Sequence, residues 1–200
     1  MKKLLIIFTL LLFLLGCTNI QVGQTVKKNN LSYLKLTNND LFFIKDNLLS
    51  EEYYSMALTL PDKDLSSDDL TVLLEFRYYP KTNKTNVIFK DLIVTRYRHG
   101  KYFEYNNLYT CFESLMFFDH RKKILIEIKD LSNIDTSVLT NAEISHSQIK
   151  DLYEMITKSD KFIVKVLFNV RSNNYVVTEI TKQKLKEFLE VSLNLKTYDI

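Results

Sequence analysis

Apolar side chains recur at every second position through the middle of this chain. Residues 54–60 and 70–79 both show the pattern, and each run ends at a proline, Pro61 or Pro80. A period of two places successive side chains on opposite faces of a strand, and proline cannot donate to a sheet ladder. The same signals predict further strands at residues 33–36, 87–98, 102–105, 112–118 and 124–128.

The longest of these runs, residues 87–98, has apolar residues on both faces, which is typical of a central strand. Residues 38–48 fit two structures. Asn-Asn-Asp at residues 38–40 offers an N-cap, and Leu41, Ile44 and Leu48 follow at helical spacing, which predicts a helix. Leu-Phe-Phe-Ile at residues 41–44 would also suit a strand.

The last third of the chain has helix–strand–strand–helix order. Ser145 and Gln148 have the spacing of a capping box, and the apolar positions of a helix follow at Ile149, Leu152, Tyr153 and Ile156. Residues 161–170 alternate strictly, and residues 175–177 can return as a hairpin. Thr181 can cap a last helix. The apolar stripe of that helix comprises Leu185, Phe188, Leu189 and Ser192.

A unit of about fifty residues is too small to bury two helices and a hairpin alone, so it is expected to dock on the preceding sheet. The predicted fold class is α+β: an antiparallel β-sheet followed by a helix-hairpin-helix unit packed on it.

Two lysines and an apolar run open the chain. Lys2 and Lys3 precede Leu4–Leu15, and the run stops at Gly16-Cys17. A charged region, an apolar region and a small residue in that order are typical of an export signal. The run is too short for a membrane-spanning helix, which needs about 20 apolar residues.

The residues Leu14-Leu15-Gly16-Cys17 resemble the lipobox of bacterial lipoprotein precursors. The resemblance implies that residues 1–16 are a signal peptide, that Cys17 is lipidated and that the mature chain begins there. Thr18 stands where enteric-type lipoproteins carry an aspartate that retains them in the inner membrane. By resemblance, this favours the outer membrane or the cell surface.

The domain organisation follows from these patterns. Residues 17–30 are expected to form the lipidated cysteine and a flexible tether, and residues 31–200 a single α+β domain. Within that domain residues 31–130 are β-rich and residues 140–196 have α-β-β-α order. Residues 131–139 are the expected joint between the two parts.

The charge of the chain nearly balances once the signal is set aside. Lys and Arg number 27 and Asp and Glu 24, and two of the lysines lie in the signal. This balance argues against nucleic acid as a partner. The 12 Tyr and 13 Phe residues provide enough aromatic surface for a packed core.

Glycine is scarce, with three residues at Gly16, Gly23 and Gly100. Phosphate-binding loops, dinucleotide fingerprints and G-x-S-x-G elbows need glycines where the backbone approaches a ligand. No cofactor and no catalytic residue is therefore predicted. With Cys17 lipidated, Cys111 has no cysteine partner, and its apolar neighbours are typical of a buried thiol and not of a reactive one.

Two patterns bear on metal binding. Residues 62–68 carry oxygen atoms at alternate positions, as a calcium loop does, but serine and leucine occupy the places of the EF-hand glycine and glutamate. His99, His120 and His146 are far apart in sequence, and Asp119 could orient His120 only across a turn. We predict a solvated loop at residues 62–68 and no metal site.

Basic and aromatic residues mark the tip of the hairpin between residues 87–98 and 102–105. They are Arg96, Tyr97, Arg98, His99, Lys101 and Tyr102. Such side chains can bind acidic glycans, nucleic acid or protein partners. The pattern favours the alternative, in which they keep a hairpin end soluble and block edge pairing. Arg121-Lys122-Lys123 is a smaller basic run of the same kind.

These patterns indicate a lipid-anchored protein of the cell envelope. Its expected partners are the membrane, through the lipid, and a protein or glycan ligand that it binds without catalysis. Two alternatives stay open. One is an enzyme acting on envelope or extracellular polymers with acids and histidines from separated strands, and the other is a structural component of an envelope complex.

Overall fold

The structure, a computed structural model, describes residues 21–61, 68–98, 101–106, 112–127, 141–168 and 172–200. In these residues it contains two antiparallel sheets and two helices packed together. The α+β fold class is therefore confirmed, with strands divided between two sheets where one was expected.

The larger sheet begins as a meander. Six strands follow one another across it, each antiparallel to the last: β1 (Thr25–Lys28), β2 (Leu31–Lys35), β3 (Leu41–Asp46), β4 (Glu51–Pro61), β5 (Asp68–Tyr79) and β6 (Lys84–Arg98). The other side of β6 pairs with β7 (Lys101–Asn106) near its end and with β10 (Asn141–Ile144) near its beginning. Strand β6 is therefore an interior strand, as its apolar residues on both faces predict.

The smaller sheet contains four strands of the described chain: β8 (Phe112–Phe118), β9 (Lys123–Glu127), β11 (Ile163–Phe168) and β12 (Ser172–Val176). Strands β11 and β12 are the hairpin predicted in the last third of the chain. The other side of β11 pairs with β8, so the hairpin extends a sheet that β8 and β9 begin.

Two helices flank that hairpin, α1 (His146–Lys158) and α2 (Glu179–Ser192). Ser145 caps α1 in the predicted capping box, and its backbone N–H donates to Gln148 Oε1 over 2.9 Å. The cap predicted at Thr181 is wrong, since Thr178 caps α2 and its hydroxyl accepts from the Thr181 N–H over 3.3 Å. The earlier start places Glu179 in the first turn, where a carboxylate is favoured by the helix dipole.

Phe76 of β5 joins the parts of the core. Its ring centroid lies 5.8 Å from that of Phe188 in α2 and 6.5 Å from that of Phe117 in β8. The predicted stripe of α2 is buried at Leu185, Phe188, Leu189 and Ser192. We call the side of the larger sheet that carries Phe76 its inner face, and the opposite side its outer face.

The helix predicted over residues 41–48 is wrong, and the strand alternative is right. Leu41 and Phe43 point to the inner face and Ile44 to the outer face, and all three are buried. A strand between β2 and β4 buries both sides of this apolar run. The expected N-cap residues form the preceding turn, in which Asp40 adopts a positive φ of 58°.

Part of the expected tether is also folded. Thr25–Lys28 pair with β2 as strand β1, and the Gly23 N–H donates to the Lys35 carbonyl over 2.8 Å. The strand is mostly exposed, which explains why no apolar period marks it. Several predictions concern residues outside the described ranges: the signal peptide, Cys17, the loop at 62–67, Cys111 and the joint at 131–139.

Candidate functional site: the outer face of the larger sheet

The outer face of the larger sheet has buried apolar residues of its own. Ile44, Tyr53 and Ile88 are 5%, 4% and 5% exposed, yet they are not part of the cluster around Phe76. Strand register explains why these residues are separate from the core around Phe76. Ile44 lies opposite Tyr53 and Ile88 opposite Glu75, so their side chains share the outer face. Each of the three is adjacent in sequence to an inner-face residue, and successive side chains of a strand point to opposite faces, so all three belong to the face that turns away from Phe76.

A charged network lies beside Tyr53 and Ile88, centred on the carboxylate of Glu75. Arg77 donates to both carboxylate oxygens, with Nε 2.8 Å from Oε1 and a terminal nitrogen 2.9 Å from Oε2. The Ser55 hydroxyl donates to Oε1 over 2.7 Å, and Lys90 Nζ lies 2.6 Å from Oε2. Each oxygen therefore accepts from two donors, which satisfies the carboxylate.

A β-bulge brings Lys90 into this network. Leu74 pairs with Phe89 and Leu73 with Asp91, so Lys90 is the extra residue on β6. Phe89 packs against the core, and the ammonium group of Lys90 lies at Glu75 on the outer face. Bulges re-aim a side chain in this way at the expense of local pairing.

Arg77 also stacks on an aromatic ring. Its guanidinium carbon lies 4.7 Å from the centroid of Tyr53, and the Tyr53 and Tyr79 centroids are 5.3 Å apart. A guanidinium held by two hydrogen bonds and one ring face has little freedom left to lose when it binds a partner. Burial raises the pKa of Tyr53, so its hydroxyl stays protonated at neutral pH.

The ionisation of Glu75 follows from these contacts. Burial alone would raise the pKa of Glu75, but the hydrogen bonds and charges of Arg77 and Lys90 outweigh it and hold the pKa below its ordinary value. The carboxylate is therefore ionised at neutral pH and has no proton to donate. The carboxylate of Glu75 is already paired with the cations of Arg77 and Lys90. The arrangement therefore suits fixed electrostatic and aromatic contacts with a ligand.

The basic and aromatic hairpin predicted as a binding patch lies elsewhere in the same sheet. Arg96, Tyr97 and Arg98 belong to the end of β6, while Lys101 and Tyr102 begin β7. In the register Tyr97 lies opposite Tyr102, and Arg98 opposite Lys101, so basic and aromatic positions alternate between the two faces. His99 lies outside the described residues. The second basic run, residues 121–123, leads into the smaller sheet.

Asp119 does not orient His120. One carboxylate oxygen of Asp119 accepts from the backbone N–H groups of Arg121 and Lys122 over 2.7 and 2.8 Å, and the other accepts from the Ser159 hydroxyl. These hydrogen bonds, that of Ser159 foremost, lower the pKa of Asp119 from 3.8 to about 2. The chain turns at residues 119–122, and Asp119 ties this turn to the end of α1.

Sequence reasoning missed the network around Glu75. Its local signal was present in Glu75-Phe76-Arg77, because residues two apart on a strand share a face and opposite charges there can pair. The contributions of Ser55 and Lys90 depend on strand register and on the bulge, which no local pattern predicts.

In the parts of the chain that the structure describes, no three His, Cys, Asp or Glu side chains are grouped so that they could hold a metal ion. Within those same ranges, neither helix has the length and apolar character needed to cross a membrane. Comparisons with protein-family models, with curated proteins and with solved structures find no match to this chain.

Proposed function

We propose that this protein is a lipid-anchored protein of the bacterial cell envelope whose domain binds a protein ligand through the outer face of its larger sheet. The anchor rests on the lipobox resemblance at residues 14–17, with Cys17 as the acylated residue. Thr18 after the cysteine favours the outer membrane or the cell surface.

The observation that carries the binding proposal is the arrangement of Arg77 between Glu75 and Tyr53. Arginine and tyrosine are enriched at the energetic centres of protein interfaces. Here both are fixed before any ligand arrives, and the side chain of Arg77 keeps 22% of its surface exposed. Pre-organisation of this kind lowers the entropy lost on association.

The same geometry favours a protein over a glycan. Sugars bind through exposed faces of aromatic rings, and Tyr53 is 4% exposed with Arg77 stacked on it. Protein interfaces are instead enriched in arginine and aromatic side chains, and Arg77, stacked on Tyr53, is the member of this pair that stays accessible.

The lipid anchor is tested by replacing Cys17→Ser and following the protein in membrane flotation. The proposal requires the wild-type chain to float and the variant to remain soluble. A variant that still floats would overturn the anchor. Protease treatment of intact cells then shows whether the domain faces outward or into the envelope.

The binding surface is tested by photo-crosslinking in intact cells. A photo-reactive phenylalanine analogue in place of Tyr79, beside Arg77 on the outer face, is expected to give a discrete protein adduct. The same analogue in place of Leu195, which is 62% exposed beyond α2, is the matched control and should give none.

Arg77→Lys keeps the charge but loses the bidentate pairing, so it should abolish the adduct from position 79. Equal adducts from positions 79 and 195 would contradict the proposal. Sedimentation of the protein with a purified envelope polysaccharide, without a protein adduct, would replace the protein ligand by a glycan.

A further inference from the structure

The proposed anchor lies close in sequence to the first fixed residue of the domain. The Gln21 N–H donates to the Gln24 side chain over 3.1 Å, and the Gln24 N–H donates back to the Gln21 carbonyl over 3.0 Å. Gly23 is bonded to Lys35, so the chain is held from Gln21 onward. Three residues, 18–20, lie between Cys17 and Gln21, and the four residue steps that join them span at most about 14 Å.

Three segments meet where the chain becomes fixed. The turn at residues 21–24 is bonded to Lys35, whose Nζ lies 2.9 Å from Asp40. The other oxygen of Asp40 lies 3.1 Å from Lys184 of α2. We call residues 21–24, 36–40 and 179–184 together the anchor corner.

The anchor corner exposes apolar side chains. Ile180 is 70% exposed, and it lies one helical turn before Lys184 on the same side of α2. Val22, in the bonded turn, is 49% exposed. Exposed aliphatic groups beside a lipid anchor gain by entering the boundary between headgroups and acyl chains.

We propose that the anchor corner rests on the lipid bilayer, with Ile180 and Val22 in the headgroup boundary. This inference depends on the lipid anchor proposed above. The short connection prevents the domain from standing away from the membrane. It directs the end of β2, the start of β3 and the start of α2 toward the lipid, and the outer face then lies to the side, where a protein can reach it.

A second pair of exposed apolar residues provides a control for this orientation. Leu48 and Leu49, which are 73% and 62% exposed, occupy the turn after β3, at the other end of that strand from Asp40. Five residue steps along β3 put these two turns roughly 17 Å apart or more. With the anchor corner on the bilayer and β3 leading away from it, Leu48 and Leu49 lie clear of the lipid, whereas Ile180 and Val22 contact it.

The chain contains no tryptophan, so a single introduced tryptophan reports its own surroundings. Ile180→Trp and the matched control Leu48→Trp would be prepared as the full acylated chain in vesicles of phosphatidylethanolamine and phosphatidylglycerol containing a brominated acyl-chain lipid. Both sites are exposed, so neither change disturbs the core.

We expect bromolipid to quench the fluorescence of Ile180→Trp at least about twofold more than that of Leu48→Trp, because groups in the headgroup boundary lie about 5–10 Å deep. Equal quenching, or stronger quenching at position 48, overturns the proposal. Flotation of the same samples distinguishes a failure of the proposed anchor from a failure of the proposed orientation. A chain that does not float refutes the anchor itself, whereas a floating chain without quenching at position 180 refutes only the orientation.

Discussion

The ring of Phe76 in β5 meets the ring of Phe188 in α2 edge to face, with 5.8 Å between the centroids. Both side chains are fully buried. Edge-to-face pairs add stabilisation beyond the apolar area that they bury. This contact joins a strand from the middle of the chain to its last helix, so the folding of the two parts is expected to be cooperative.

Phe188→Ala should lower the free energy of unfolding by about 3–5 kcal/mol, since it leaves a cavity between α2 and the inner face. Urea denaturation followed by circular dichroism measures the change. Ile180→Ala on the same helix is the matched control, and its effect should stay within about 0.5 kcal/mol. If Phe188→Ala does not fold, Phe188→Leu should show a smaller loss. Equal effects at positions 188 and 180 would contradict the packing described.

Glu75→Gln should destabilise the protein by about 1–3 kcal/mol, because it leaves Arg77 and Lys90 without their counter-charge in a partly buried site. Arg77→Met should cost a similar amount. In the double variant the two losses should overlap, with a coupling of about 1 kcal/mol or more. Unfolding in urea of the four proteins gives this coupling directly.

The surface ion pair between Lys84 and Glu143 provides the comparison for this double-mutant cycle of Glu75 and Arg77. Its atoms are 3.9 Å apart, and both side chains are more than half exposed. Its coupling should be below about 0.5 kcal/mol. If the cycle on Glu75 and Arg77 gave no more than this, the network would be an ordinary surface ion pair and the argument for a fixed arginine would fail.

Much of this fold can be predicted locally, and its remainder depends on contacts that are distant in sequence. The alternation around Phe76 and the stripe around Phe188 each predict a buried position, because one face of each element must be apolar. Neither pattern predicts that the two rings meet. Strand β10 escaped prediction because its four residues, Asn141–Ile144, are too few to show a period. It pairs with the start of β6, on the side of that strand that β5 does not occupy. This partner is distant in sequence, so no local pattern indicates it.

The turn at Asp40 shows a second limit of local patterns. Asn38, Asn39 and Asp40 serve equally well as a helix N-cap or as a turn with positive φ, since short polar side chains satisfy the backbone in both. The choice is made by β2 and β4, which offer partners to a strand on both sides of residues 41–46. Tertiary pairing overrides the helical spacing there.

Asp40→Asn tests the charge at that turn without changing its conformation, because asparagine tolerates a positive φ as well as aspartate does. Asp40 is paired with Lys35, whose side chain is 7% exposed, and with Lys184. Removing the shared counter-charge should cost about 1–3 kcal/mol in urea unfolding. Asp40→Ala should cost more, since it adds strain at φ 58°. An asparagine variant as stable as the wild type would show that the ion pairs contribute nothing.

Asp119→Asn should change how stability depends on acid. The folded pKa of Asp119 is about 2 against an ordinary 3.8, so the unfolded chain binds this proton more readily than the folded one. The stabilisation is therefore complete above 3.8 and is lost as the pH falls toward about 2. The variant should be less stable than the wild type at neutral pH, and the gap should close across that interval. Urea midpoints of both proteins, measured at a series of pH values, give this difference in stability.

Asp160→Asn, at an exposed carboxylate just beyond α1, is the matched control for the loss of one negative charge in this region. A gap between wild type and Asp119→Asn that stays constant down to the lowest pH would mean that Ser159 and the turn do not hold the ionised carboxylate.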